Sequence, residues 1–78
     1  MSADTRDRVV KVVAQILKIE EAQVKDESRF VDDLGASSMQ SVELIASFEE
    51  EFDVEMDEEQ ALDVKTVGDA VGFIAALL

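Results

Sequence analysis

Carboxylates and hydroxyls are the first candidates for chemistry in this chain, because its 78 residues include no Cys, His, Tyr or Trp. Without cysteine there is no thiolate nucleophile, disulfide or zinc–thiolate site. Without histidine the commonest general base near neutral pH and the commonest metal ligand are both missing. The carboxylates do not fall into a catalytic pattern. They lack the alternation and central glycine of an EF-hand loop, and Glu49, Glu50 and Glu51 project in three directions around a helix. A paired-carboxylate hydrolase needs a sugar-sized cleft, which 78 helical residues do not build. Gly35, Gly68 and Gly72 are too scattered for a phosphate-cradling loop. The expectation is no specific metal site and no enzyme activity of its own.

The hydroxyls are better placed. Asp33-Leu34-Gly35-Ala36-Ser37-Ser38-Met39 sets a turn glycine and two serines at the start of a helical pattern. Capping is the commonest use of serine there. A phosphate attached to such a hydroxyl would lie near unpaired backbone amides and the positive end of the helix dipole. No base in the sequence can activate either serine, so covalent chemistry there needs a second protein.

The elements that hold these residues read as helices. Val9, Val12, Val13, Ile16 and Leu17 share one face over 4–18, with Asp4 and Asp7 at the positive end and Lys11 and Lys18 toward the negative end. Residues 19–36 lack a sustained period and read as a long ordered loop, pinned by Ile19, Val24, Phe30 and Leu34 and turned at Gly35. A second helix is predicted from 37 or 38 to about 52, opened by a Ser37/Gln40 capping box. Leu44, Ile45, Phe48 and Phe52 form its apolar face, flanked by Met39, Val42 and Ala46, with Gln40, Glu43, Ser47, Glu50 and Glu51 opposite. So wide an apolar arc predicts the central helix of the fold. Asp57 with Gln60 predicts a short helix at about 58–63, and Thr66 with Asp69 opens the last. Val67, Ala70, Val71, Ile74, Leu77 and Leu78 form its apolar face, and Gly72 reads either as a close helix approach or as tolerance of a weak helix. The fold class is all-α: a four-helix bundle of three longer helices and one short, with a long first connection, in a single domain over 1–78.

Charge is segregated along the chain. The net charge is -12, and residues 30–64 hold 12 acids with no Lys or Arg. Elsewhere 7 acids balance all 7 basic residues. Such a middle section is either a solvated face or a docking surface for basic partners. It opposes binding to nucleic acid or an anionic membrane. No stretch reads as a targeting signal or membrane span, so a cytoplasmic protein is expected.

Phe30-Val31-Asp32-Asp33-Leu34-Gly35-Ala36-Ser37-Ser38-Met39-Gln40-Ser41-Val42-Glu43-Leu44, followed by Phe48-Glu49-Glu50-Glu51-Phe52, resembles an acyl carrier protein. That family carries an Asp-Ser-Leu motif in this setting, ahead of an acidic second helix. The likeness runs through the valine-rich first helix to the Thr66-Val67-Gly68-Asp69 start of the last. It implies that Ser38 is the acceptor for 4'-phosphopantetheine, transferred from coenzyme A by a phosphopantetheinyl transferase. The cofactor's thiol then carries acyl groups as thioesters, which explains how a chain without cysteine or a general base can serve acyl chemistry. The resemblance implies partner enzymes with basic docking patches, met by Met39, Gln40, Glu43, Ser47 and Glu50, and a monomer.

Ser37 and Met39 stand where the family has Asp and Leu, and Gln40 replaces a common acid. These departures suggest altered affinity for fatty-acid partners and a carrier dedicated to a specialised lipid or polyketide pathway, with fatty acid biosynthesis the general setting. A peptidyl carrier is a close relative that the acidity disfavours. The alternative of another class is an unmodified acidic helical module that binds a basic protein, with Ser38 only part of a cap.

Overall fold

The computed structural model describes residues 2–61 and 63–78. Its first helix, α1 (Ser2–Leu17), forms where apolar residues recur at helical spacing. Val9 and Val13 are fully buried, with Val12 and Leu17 beside them. Val10 and Ala14 are buried too, so the covered stripe is wider than the spacing implied. The reason is position: α1 packs against both the second and the last helix. Asp4 lies in the first turn as expected, but the last turn carries no basic residue. Lys18 falls just past the helix in a left-handed conformation (φ 57°) that ends it.

The connection to the second helix is long and ordered, as predicted. One 3-10 turn, Glu21–Gln23, interrupts it, held by the Glu20 amide donating to Gln23 Oε1 at 3.1 Å. Val24 and Phe30 are buried, Ile19 and Leu34 half-buried, and Gly35 takes φ +73° at the turn. Ser28, also buried, accepts the Lys25 amide through Oγ at 3.2 Å, which fixes the bend before Phe30.

Helix α2 (Ser38–Phe52) buries Leu44, Phe48 and Phe52. Met39, Val42 and Ala46 are exposed, so the wide apolar arc is not a wide buried arc. The central helix is α1, not α2. Asp53 closes α2 in a left-handed conformation (φ 52°). Glu49 then accepts the Met56 amide at 3.0 Å, so this acid holds the following loop. The short helix α3 (Glu58–Ala61) starts on Asp57, whose Oδ1 accepts the Glu59 amide at 2.9 Å. The expected span also took in Leu62, which lies outside the described residues.

Helix α4 (Val67–Leu77) opens on Thr66, whose Oγ1 accepts the Asp69 amide at 3.1 Å. Val67, Ala70 and Ile74 are buried; Leu77 and Leu78, expected on the core face, are exposed. Gly72 faces open space and allows no close approach. Gly68 does: a Cβ there would lie 3.1 Å from the Asp26 carbonyl oxygen, which accepts the Gly68 amide at 2.8 Å. Among the described residues there are four α-helices and no strand, only an isolated bridge between Arg29 and Thr66. The bundle predicted from the sequence is the fold.

Candidate functional site

Ser37 has extended backbone and its Oγ accepts the Gln40 amide at 3.1 Å, while Gln40 Oε1 accepts the Ser37 amide at 3.0 Å. The expected capping box is complete. Ser41 reinforces it, donating its hydroxyl to the Ser37 carbonyl at 3.1 Å. The segment entering the helix is anchored by buried Phe30, whose carbonyl accepts the Ala36 amide at 2.8 Å and whose amide donates to the Lys65 carbonyl at 3.0 Å.

Ser38 is the first residue of α2 and is exposed. Among the described residues its hydroxyl makes no hydrogen bond, and the amides of Ser38 and Met39 find no acceptor. The first turn of α2 contains no acid, so the positive end of the dipole is not neutralised there. A phosphodiester on this hydroxyl is therefore accommodated by the residues present: an exposed free oxygen, unpaired amides and no carboxylate in the same turn. The acids that precede it in the chain, Asp32 and Asp33, both engage Arg29. Asp33 Oδ2 accepts the Arg29 amide at 2.8 Å, and Arg29 Nη1 lies 3.4 Å from Asp32 Oδ2.

Ser38 begins a ridge that runs through Ser41, Ile45 and Phe48 at helical spacing. The last three line a cavity of about 440 Å³. Its buried wall includes Phe30, Leu44, Met56, Ala61 and Ala70, and its exposed lining includes Arg29, Asp32 and Lys65. The volume falls within the range of small-molecule sites. The cavity is lined by the segment before α2, by α2 itself, by residues in and around α3, and by Ala70 of α4.

Met39, Glu43, Ser47 and Glu50 fall on another ridge of α2. Met39, Glu43 and Glu50 are exposed and Ser47 half-buried, whereas Gln40 turns its oxygen back onto the cap. Sequence reasoning did not single out Val31, which is 60% exposed, or place Val42, 66% exposed, on the surface; with Met39 at 75% they put apolar side chains on both segments that flank Ser38. It also missed Arg8, whose Nε donates to Glu51 Oε2 at 2.8 Å and whose guanidinium stacks 4.4 Å from the Phe52 ring centroid. No local pattern marks a pair 43 residues apart. Among the described residues no group of His, Cys, Asp or Glu converges to hold a metal ion, and no helix is long and apolar enough to cross a membrane.

Residues 7–74 match the protein family described as phosphopantetheine attachment site. A solved structure from Mycobacterium tuberculosis, described as an acyl carrier protein, is similar at 28% identity and a TM-score of 0.88, covering 95% of this chain and 99% of that one. Sequence, fold and the setting of the α2 hydroxyls agree: the chain belongs to the phosphopantetheine-binding acyl carrier protein family, whose cofactor is a covalently attached 4'-phosphopantetheine.

Proposed function

We propose that this chain is an acyl carrier, a single domain over 1–78 that holds 4'-phosphopantetheine on Ser38 Oγ and performs no catalysis itself. The observation that carries the reading is the division of labour between adjacent serines. Ser37 Oγ is engaged by the Gln40 amide, while the Ser38 hydroxyl has no partner among the described residues and faces solvent. When bound, the cofactor supplies the thiol on which acyl groups are carried as thioesters. The chain's own residues present that arm, shelter what it carries and dock the enzymes that act on it.

The ridge from Ser38 to Phe48 leads to the cavity, whose apolar wall suits an acyl chain. Glu43 and Glu50 face solvent for basic patches on the transferase and on acyl-transfer or synthase enzymes, with Met39 and Ser47 on the same ridge. Gln40 contributes by holding the cap, with its amide nitrogen left to meet a partner. The acid-free first turn supports altered affinity for fatty-acid partners, and the pathway we propose is fatty acid or specialised lipid or polyketide biosynthesis. The setting we propose is the cytoplasm, and the working state a monomer.

The experiment is intact mass after incubation with coenzyme A, magnesium and a broad-specificity phosphopantetheinyl transferase, on wild type, Ser38→Ala and Ser37→Ala. A single phosphopantetheine-sized gain that disappears only in Ser38→Ala is expected. Loss only in Ser37→Ala moves the site by one residue. No gain in a folded protein with several transferases leaves the unmodified interaction module as the better reading.

A further inference from the structure

Arg29 and Lys65 bracket the acid-only window, 36 residues apart, yet both line the cavity. The Phe30 amide donates to the Lys65 carbonyl at 3.0 Å and Arg29 bridges Thr66, which brings the two segments side by side. The Arg29 charge is answered by Asp32 and Asp33, at 3.4 and 3.7 Å. Lys65 has no ion pair among the described residues. Lys11, Lys18 and Lys25 also lack an ion pair there, but Lys65 alone of the four lines this cavity, where its ammonium can donate to an acceptor.

Burial locates it. The exposed lining residues Arg29, Asp32 and Lys65 form the rim, and buried Phe48, Met56, Ala61 and Ala70 form the floor. An acyl chain entering methyl end first sets its methyl against the floor and its thioester end at the rim. Lys and Arg donate only, so what they can hold there is an acceptor oxygen close to the thioester. The Asp32 carboxylate at the same rim opposes a second full negative charge and can accept a hydroxyl proton. Building on the reading of Ser38 as attachment point, we infer that Lys65, with Arg29 beside it, makes the cavity selective for β-oxo and β-hydroxy acyl groups over saturated chains of equal length.

The test loads octanoyl, β-hydroxyoctanoyl and β-oxooctanoyl phosphopantetheine from their coenzyme A esters and confirms each product by intact mass. Thermal midpoints of each product and of the unacylated phosphopantetheine form are then compared in wild type, Lys65→Gln and Lys65→Arg. Lys65 contacts Phe30 through its backbone carbonyl and its side chain is exposed, so both variants keep the fold. The gain in Tm on loading is expected to be about 4–8 °C larger for the two oxygenated groups than for octanoyl, the shift that about 1 kcal/mol of added stability gives in so small a domain. Lys65→Gln removes that excess and Lys65→Arg keeps it. Equal gains for all three acyl groups, or an excess that survives in Lys65→Gln, overturns the inference while Ser38 attachment stands. Failure to load, seen by mass before any melt, overturns the attachment reading and this one with it.

Discussion

Ser37 and Ser38 carry the same hydroxyl, and one hydrogen bond separates their duties. Ser37 gives its oxygen to the Gln40 amide, so Ser37→Ala removes a helix cap and should cost about 1 kcal/mol. In a domain of this size that lowers Tm by about 4–8 °C. Phosphopantetheine transfer should survive. Ser38→Ala removes an exposed hydroxyl with no described partner, and its stability should stay within about 0.5 kcal/mol of wild type. Urea melts beside intact mass check both; a Ser38→Ala variant as destabilised as Ser37→Ala would mean that Ser38 is part of the cap after all.

Helix α1 is held to α2 by more than apolar contact. Arg8 bonds the Glu51 carboxylate and carbonyl and lies over Phe52. The pair is partly exposed, so its Coulomb energy is modest; the stacking and the bond to the carbonyl add to it. Arg8→Ala should cost about 1–2 kcal/mol in chemical denaturation. Arg8→Lys should recover only part, because an ammonium cannot reproduce the planar fork.

Helix α4 offers a paired test in its two glycines. Gly72 is a helix-interior position facing open space, so Gly72→Ala should stabilise by about 0.5–1 kcal/mol. At Gly68 the same gain in helix propensity meets the Asp26 carbonyl, so Gly68→Ala should be no more stable than wild type and should loosen the long loop. Hydrogen exchange at the backbone amide of that position, compared between wild type and Gly68→Ala, reads the loosening directly. Equal stabilisation by both variants would show that the close approach imposes no constraint.

On the scale of the whole molecule, charge and core size set the balance. Among the described residues, only Asp32, Asp33 and Glu51 of the window's acids are seen in ion pairs. The remaining negatives repel across a molecule whose radius of gyration is 11.0 Å, close to the Debye length at moderate salt. Added salt should raise Tm by screening that repulsion, since the ion pairs it weakens are exposed and contribute little. Millimolar magnesium should raise it further at equal ionic strength through diffuse association with the acidic section. A Tm that ignores ionic strength from low to moderate salt would refute the repulsion account.

What the sequence determined by itself is local. The helices, the turn at Gly35 and the side-chain caps at Ser37, Asp57 and Thr66 all follow from residues within four positions of one another, whereas the long loop is held by Lys65, Val67 and Gly68 from the far end of the chain. Periodicity and cap hydrogen bonds two or three residues along the chain depend on nothing farther away, which is why the capped start of α2 was legible. Tertiary structure alone decided which apolar faces are covered: Met39, Val42, Leu77 and Leu78 have the composition of core and lie at the surface. It made α1 the central helix, reassigned the close approach from Gly72 to Gly68, gave Glu49 to a loop amide, and joined Arg29 to Lys65 at a cavity rim. Each depends on segments far apart in the chain, and hydrophobic burial is set by which surfaces meet, a quantity no local pattern contains.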